Sequence, residues 1–157
     1  MAQDLSQLLE QGQILGVSAA SSRKQVLSQM AESLSGRLSI DARDIFDAVI
    51  ERENLGSTGV GEGVAIPHAR VETLDAPIGA FVRLTEGVEF DAIDGQPCDL
   101  IFMLLAPHSS GADHLRALAQ VSRAFRDKAL RDALRSAETS DEIRALLCPK
   151  AVAADAA

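Results

Sequence analysis

In SSRKQVLSQMAESLSG the apolar residues Val26, Leu27, Met30, Ala31 and Leu34 recur at helical spacing, which predicts an amphipathic helix. Ser22 with Gln25 makes a capping box at its start, and Gly36 supplies its stop. DARDIFDAVIERENLG repeats the design, with Asp41 near its start, Ile45, Phe46, Val49 and Ile50 on one face, and Gly56 just past its end. The period then changes. In PIGAFVRL the residues Ile78, Ala80, Val82 and Leu84 alternate as in a strand, and DLIFMLLAP is a continuous apolar run that reads as a strand covered on both faces. From Ala112 onward Leu115, Leu118, Val121 or Ser122, and Phe125 mark a longer helix. After a break Ala129 to Leu134 continues it, and Thr139 with Glu142 caps a last helix carrying Ile143, Leu146 and Leu147. The tail AVAADAA, residues 151–157, is expected to fray. Together these elements predict an α/β fold, a single domain over 1–150 with one mixed β-sheet and helices packed on its faces.

Length and composition agree with one domain: 157 residues, 46% of them hydrophobic, are enough to fill a core. A formal charge of −8 disfavours nucleic acid or an anionic membrane surface as a partner, since phosphate backbones are held by clustered Lys and Arg. A basic face on a partner protein fits better. No apolar run approaches the roughly 20 residues of a membrane span, and MAQDLSQLLEQGQIL lacks the basic start and apolar centre of a signal peptide. A cytoplasmic protein without membrane insertion is therefore expected. Cys98 and Cys148 stand in no CxxC or metal spacing and read as small buried or half-buried residues.

One stretch escapes both periodicities. Residues 56–70, GSTGVGEGVAIPHAR, crowd glycines ahead of Pro67 and His68. No Lys-Ser/Thr follows, and a helix rather than a strand precedes, so this is no phosphate-binding P-loop; GxGxG spacing excludes the dinucleotide fingerprint as well. Glycines at 56, 59, 61 and 63 offer positive φ, close approach and N–H groups free to receive an anion. Val64, Ala65 and Ile66 read as a short buried strand, and Pro67 fixes the backbone immediately before His68, placing that histidine for directed chemistry. His108, in APHSSG, reads as an ordinary loop residue.

The segment GSTGVGEGVAIPHAR resembles the active-site segment of the phosphotransferase-system enzyme IIA domains of the fructose/mannitol class. ERENLGSTGVGEGVAIPH with FDAIDGQPCDLIFMLLAP is similar to the nitrogen-regulatory branch in particular. The likeness runs from about Leu5 to Leu147 and includes DHLRALAQVSR, which matches the helix carrying the family's second histidine. It implies that His68 accepts a phosphoryl group from a histidine phosphocarrier protein. It also implies that Arg52 and His114 are the active-site arginine and second histidine. Many relatives carry Gly and Lys after the acceptor histidine, where this chain has Ala69 and Arg70. The chain is expected to stand alone, without a IIB domain or permease, as a phosphotransferase acting by relay and as a phosphorylation-dependent regulator. Its targets are expected among proteins such as a transporter or a sensor kinase.

The chemistry has its own logic. A neutral imidazole nitrogen is a good nucleophile near neutral pH, and a phosphoramidate on one histidine exchanges readily with another. The other ring nitrogen must be held by a hydrogen bond, and cations or N–H donors must sit where charge spreads over the phosphoryl oxygens. Arg52, Arg70 and His114 are the candidates, with Ser57 and Thr58 as further hydroxyl donors. No cofactor is expected. Three rivals remain at this point: a sugar-specific IIA passing phosphate to a separate IIB, a binding module with a vestigial histidine, and a metal site of His68, His114 and Glu62 or Asp113. The last lacks support from an HxxxH or HExxH spacing.

Overall fold

The structure, a computed structural model, describes residues 4–109 and 111–149. The fraying expected of 151–157 lies outside them. Strands β1 (Gln13–Ser18), β2 (Gly59–Gly61), β3 (Val64–Ala65), β4 (His68–Val71), β5 (Ile78–Val88) and β6 (Cys98–Pro107) form one sheet. Their order is β1-β5-β6-β3-β2, with β4 also paired to β6. The sheet is mixed: β5 and β6 run antiparallel, whereas β1 pairs parallel with β5, and β3 and β4 pair parallel with β6.

Central strand β6 explains the two-sided core. Ile101, Met103 and Leu105 point to one face, where they meet helices α2 (Arg23–Leu38) and α3 (Ala42–Leu55). Leu100, Phe102 and Leu104 point to the other. There they meet α1 (Ser6–Glu10), α4 (Gly111–Phe125), α5 (Lys128–Ser136) and α6 (Ser140–Leu147). A strand apolar on both faces can only be buried on both faces, so the continuous run DLIFMLLAP forces the three-layer arrangement. The alternation expected of Ile78, Ala80, Val82 and Leu84 holds, all four lying in the α2/α3 core. Gly79 on β5 lets the Phe102 ring lie where a Cβ would stand, at 2.4 Å.

The helix caps follow the sequence closely. Ser22 Oγ accepts from Gln25 N–H, and Thr139 Oγ1 accepts from Glu142 N–H. In both boxes the return bond reaches one residue further back: the Gln25 and Glu142 side chains accept from the N–H groups of Ser21 and Glu138. Asp41 accepts from Arg43 N–H at the start of α3.

At three points the structure goes against or beyond what the spacing predicts. Gly36 does not stop α2, which continues to Leu38 and ends at Ser39 with φ 58°; a single glycine costs a helix only about 1 kcal/mol, which the surrounding packing outweighs. On α4 Val121 and Phe125 are buried and Leu118 packs against the core as expected, but in the first turns His114 and Ala117 face inward and Leu115 is 65% exposed. The third concerns the N-terminal region, where α1 and β1 form although neither periodicity announced them. Gly16 (φ 78°) sits at an irregularity in the β1 pairing, which breaks the alternation that marks a strand.

Candidate functional site

Strands β3 and β4 lie end to end along the same side of β6, interrupted at Ile66 and Pro67; β2 covers β3, and β4 pairs with β6 alone. Proline has no N–H to give the ladder, and its carbonyl accepts from Leu104 N–H at 2.9 Å. The interruption turns the Ile66 peptide out of the ladder. Its N–H donates to the Thr58 carbonyl at 3.0 Å, and its own carbonyl lies 2.8 Å from His68 Nδ1. A carbonyl can only accept, so the His68 proton sits on Nδ1 and the lone pair on Nε2. Within β4 the burial alternates: Ala69 and Val71 enter the α2/α3 core, while His68 and Arg70 share the opposite side.

That side faces the beginning of α4. His114, in its first turn, is 7% exposed, and its ring centroid is 5.6 Å from that of His68, the planes tilted by 48°. Its Nδ1 is buried without a hydrogen-bond partner among the described residues. Arg70 extends toward the same helix start, with a guanidinium nitrogen 3.8 Å from where a Cβ on Gly111 would stand. Arg52 comes from the last turn of α3, where its Nη1 donates to the Gly56 carbonyl at 2.8 Å. The basicity of His68 is lowered chiefly by burial; the bond to Ile66 opposes this, the charge of Arg52 adds to it, and that of Glu53 opposes it. His114 is lowered by burial first and then by His68 and Arg70. Both rings are thus held toward their neutral forms.

Ser57 and Thr58 stand beside this group with their hydroxyls engaged. Ser57 Oγ donates to the Phe90 carbonyl and accepts from Gly59 N–H at 3.0 Å. Thr58 Oγ1 donates to Glu53 Oε2 at 2.6 Å, and Thr58 N–H donates to Glu53 Oε1 at 3.1 Å. The glycine run is a β2–β3 hairpin, with φ 102° at Gly61, 58° at Glu62 and 78° at Gly63. Its N–H groups do not stand free as expected: Gly59 N–H goes to Ser57, and Glu62 N–H goes to Asp94 at 2.9 Å. Gly56, with φ 161°, is simply extended.

Sequence reasoning missed Glu53. It is 3% exposed, a carboxylate at the end of a helix beside the glycine run, and its only signal was its place in ERENLGST. His108 lies exposed in a turn, as expected of a loop residue, and the thiols of Cys98 and Cys148 are free and buried. Burial first, and then nearby carboxylates, push the Cys98 thiol up to about 12, which keeps it protonated. Among the described residues no group of His, Cys, Asp and Glu is placed to share a metal ion, so Glu62 and Asp113 do not join the two histidines. No helix of the described residues is long and apolar enough to cross a membrane.

An α/β domain that carries a neutral histidine at the break of an edge strand, facing a second histidine on a helix start, has counterparts among known proteins. The family model described as "Phosphoenolpyruvate-dependent sugar phosphotransferase system, EIIA 2" matches residues 7–148. The nitrogen regulatory protein of Bradyrhizobium diazoefficiens is 41% identical over 142 residues, 90% of this chain and 93% of the relative. A fructose-specific EIIA component of Haloferax volcanii is 41% identical over 109 residues, covering 69% of this chain and 71% of that one. The crystal structure of nitrogen regulatory protein IIA-Ntr from Neisseria meningitidis superposes with a TM-score of 0.82 at 36% identity, covering 91% of this chain and 98% of that one. The chain belongs to the EIIA 2 family of the phosphotransferase system, in its nitrogen regulatory group.

Proposed function

We propose that the protein is a cytoplasmic phosphohistidine carrier that takes a phosphoryl group on His68 from a histidine phosphocarrier protein and regulates partner proteins by its phosphorylation state. The observation that carries this reading is the His68 Nδ1 to Ile66 carbonyl bond, which leaves Nε2 as a fixed lone pair in a ring held toward its neutral form. In the transfer, Nε2 forms the new P–N bond while the bond from phosphorus to the carrier's imidazole breaks and its electron pair returns to that ring. The Nδ1 proton stays against the Ile66 carbonyl, whose dipole meets the positive charge that develops on the His68 ring. Arg52, Arg70 and His114 are assigned to the phosphoryl oxygens, where fixed donors act on charge as it spreads in the transition state. Ser57 and Thr58, whose hydroxyls serve Phe90 and Glu53, shape the segment from which such donors are presented.

Phosphorylation brings roughly −1.5 to −2 charges onto a half-buried ring of an already acidic protein. A regulatory target such as a transporter or sensor kinase therefore meets two different faces. A second reading, transfer onward to a sugar-specific IIB, is favoured by the likeness to the fructose-specific component and is read out by adding a IIB acceptor to labelled protein. The test of the first reading is incubation with phosphoenolpyruvate, enzyme I and a histidine phosphocarrier, followed by mass analysis for an acid-labile phosphate. His68→Ala is expected to lose all labelling with its fold intact, because a half-buried residue at a strand start contributes little packing. Undiminished labelling of that variant ends the assignment.

A further inference from the structure

Glu53 is a carboxylate almost wholly removed from water, and such a group is retained only where its hydrogen bonds are met. Both oxygens are occupied, one by Thr58 N–H and the other by Thr58 Oγ1. The nearest cation is Arg23, whose Nη1 stands 3.7 Å from Oε1. Arg23 is itself fixed: it lies over the Phe90 ring at 5.3 Å, binds Asp91 at 2.8 Å and donates to the Glu89 carbonyl at 3.4 Å. The carboxylate is thus anchored on one side by α2 and on the other clasps a single residue of the loop after α3.

From that residue a continuous line of hydrogen bonds leads to the site. Thr58 is clasped by Glu53; its carbonyl accepts from Ile66 N–H; the Ile66 carbonyl accepts from His68 Nδ1. Ile66, held at its N–H by the Thr58 carbonyl, therefore presents in its own carbonyl the group that sets the tautomer and angle of the His68 ring.

We propose that Glu53 is a positioning residue for His68, acting through Thr58 and the backbone of Ile66 to hold the ring with its proton on Nδ1 and its lone pair on Nε2. The inference rests on the reading of His68 as phosphoacceptor and deepens it. Thr58 in this account serves as the link between carboxylate and peptide. The link is mechanical: with Thr58 fixed by the carboxylate, its carbonyl fixes the Ile66 N–H and so the direction in which the Ile66 carbonyl points. The charge of Glu53 also favours the protonated ring, against burial and against Arg52 from the same helix. Arg70 on β4 and His114 on α4 complete the titratable and charged groups around the pair of rings.

The test compares Glu53→Gln, Thr58→Val and Thr58→Ser with wild type by two readouts. The first is the pH titration and the ring ¹⁵N shifts of His68 in the free protein; the second is the rate of phosphoryl transfer from the phosphocarrier. An amide in place of the carboxylate can accept only at its one oxygen and carries no charge. Glu53→Gln is therefore expected to move the His68 titration to lower pH, to weaken the Nδ1–H preference in the ¹⁵N shifts, and to slow transfer about tenfold, the scale on which outer-shell partners act. Thr58→Val, which removes the hydroxyl donor and leaves the charge, is expected to slow transfer and blur the tautomer, while Thr58→Ser behaves as wild type. Should Glu53→Gln fail to fold, the contrast between the two Thr58 variants carries the test. The proposal is overturned if folded Glu53→Gln shows a lowered thermal midpoint but wild-type His68 titration and transfer, or if Thr58→Val transfers like Thr58→Ser. The titration needs no phosphate: labelling of the wild type at another residue overturns the acceptor reading, whereas wild-type labelling at His68 with an unmoved titration overturns this inference alone.

Discussion

The two ends of the glycine hairpin are held by different means. At the near end Glu53 clasps Thr58 from inside the protein, with Arg23 behind it and His68 two hydrogen bonds further on. At the far end the grip is outside. Arg135 donates from Nε and Nη2 to Asp99 at 2.9–3.2 Å and from Nη2 to the Glu62 carbonyl at 2.5 Å, while Asp94 takes Glu62 N–H. Asp99 N–H and Leu100 N–H both donate to the Gly63 carbonyl. The far network is a forked ion pair between partly exposed side chains, and its bonds end on the hairpin itself. It fixes the shape of a turn. The near network is buried, and its bonds continue through the backbone of Ile66 to the His68 ring. One end therefore serves the fold and the other connects the fold to the site, although both are built from an arginine, a carboxylate and a few N–H groups.

That contrast predicts a double dissociation. The largest effect in this set belongs to His114→Ala, which removes a donor facing His68. Transfer to His68 is expected to slow by about one to three orders of magnitude, the cost of losing one transition-state donor, with the thermal midpoint little changed. A wild-type rate would place His114 among ordinary helix residues. Gly63→Ala should do the opposite. Its φ is 78°, and a Cβ there would stand 2.3 Å from Arg135 Nη2 and 2.9 Å from Asp99 Oδ1. A loss of about 1–3 kcal/mol is expected for a non-glycine residue forced into such a position, measured by denaturant unfolding, with transfer by the folded protein unchanged. A slowed rate at full folding would mean that the far end also speaks to His68.

Acid should distinguish the two ends most gently. His68 and His114 are held below their ordinary value of 6.5, so the unfolded chain takes up their protons first. Stability from this source is complete above 6.5 and is lost as pH falls below it. Asp94, held below its ordinary 3.8 by the N–H groups of Glu62 and Gln96, contributes with the same sign in a lower window: its share is complete above 3.8 and is lost only as pH falls below that value. Thermal midpoints from pH 7.5 to 5.5 are expected to decline, and His114→Ala to flatten part of the decline. An equal slope in that variant would remove His114 from the account.

Much of the fold was legible because its elements obey one period each. The α2 and α3 faces, the alternation in β5 and the doubly buried β6 follow from side-chain spacing and the need to cover apolar surface. Element β1 was not legible, since the irregularity at Gly16 shifts its pairing. Leu115 shows a different failure. Helical spacing names the inward stripe of α4 through Leu118, Val121 and Phe125, but at the helix start the sheet presents His68, and His114 rather than Leu115 takes the inward place.

The site divides in the same way. The sequence reads as a short strand ending at Pro67 with His68 fixed behind it, because proline gives no N–H and restricts the residue before it; that pairing with β6 resumes at His68 came from the structure. Likeness to the family pointed to Arg52, His68 and His114, and the structure brings His68 and His114 within 5.6 Å of one another, ring to ring. Nothing local announced Glu53. A glutamate near a helix end is usually a solvated charge; this one is buried where α2 brings Arg23, itself packed on the Phe90 ring, against it and the following loop folds Thr58 back onto it. The sequence by itself determined the two-sided core, the caps of α2, α3 and α6 and the strand end before His68, since each rests on residues a few positions apart. Only the tertiary structure decided which ring nitrogen is free and which carboxylate is buried, because hydrogen bonds between segments distant in sequence exist only once those segments have packed.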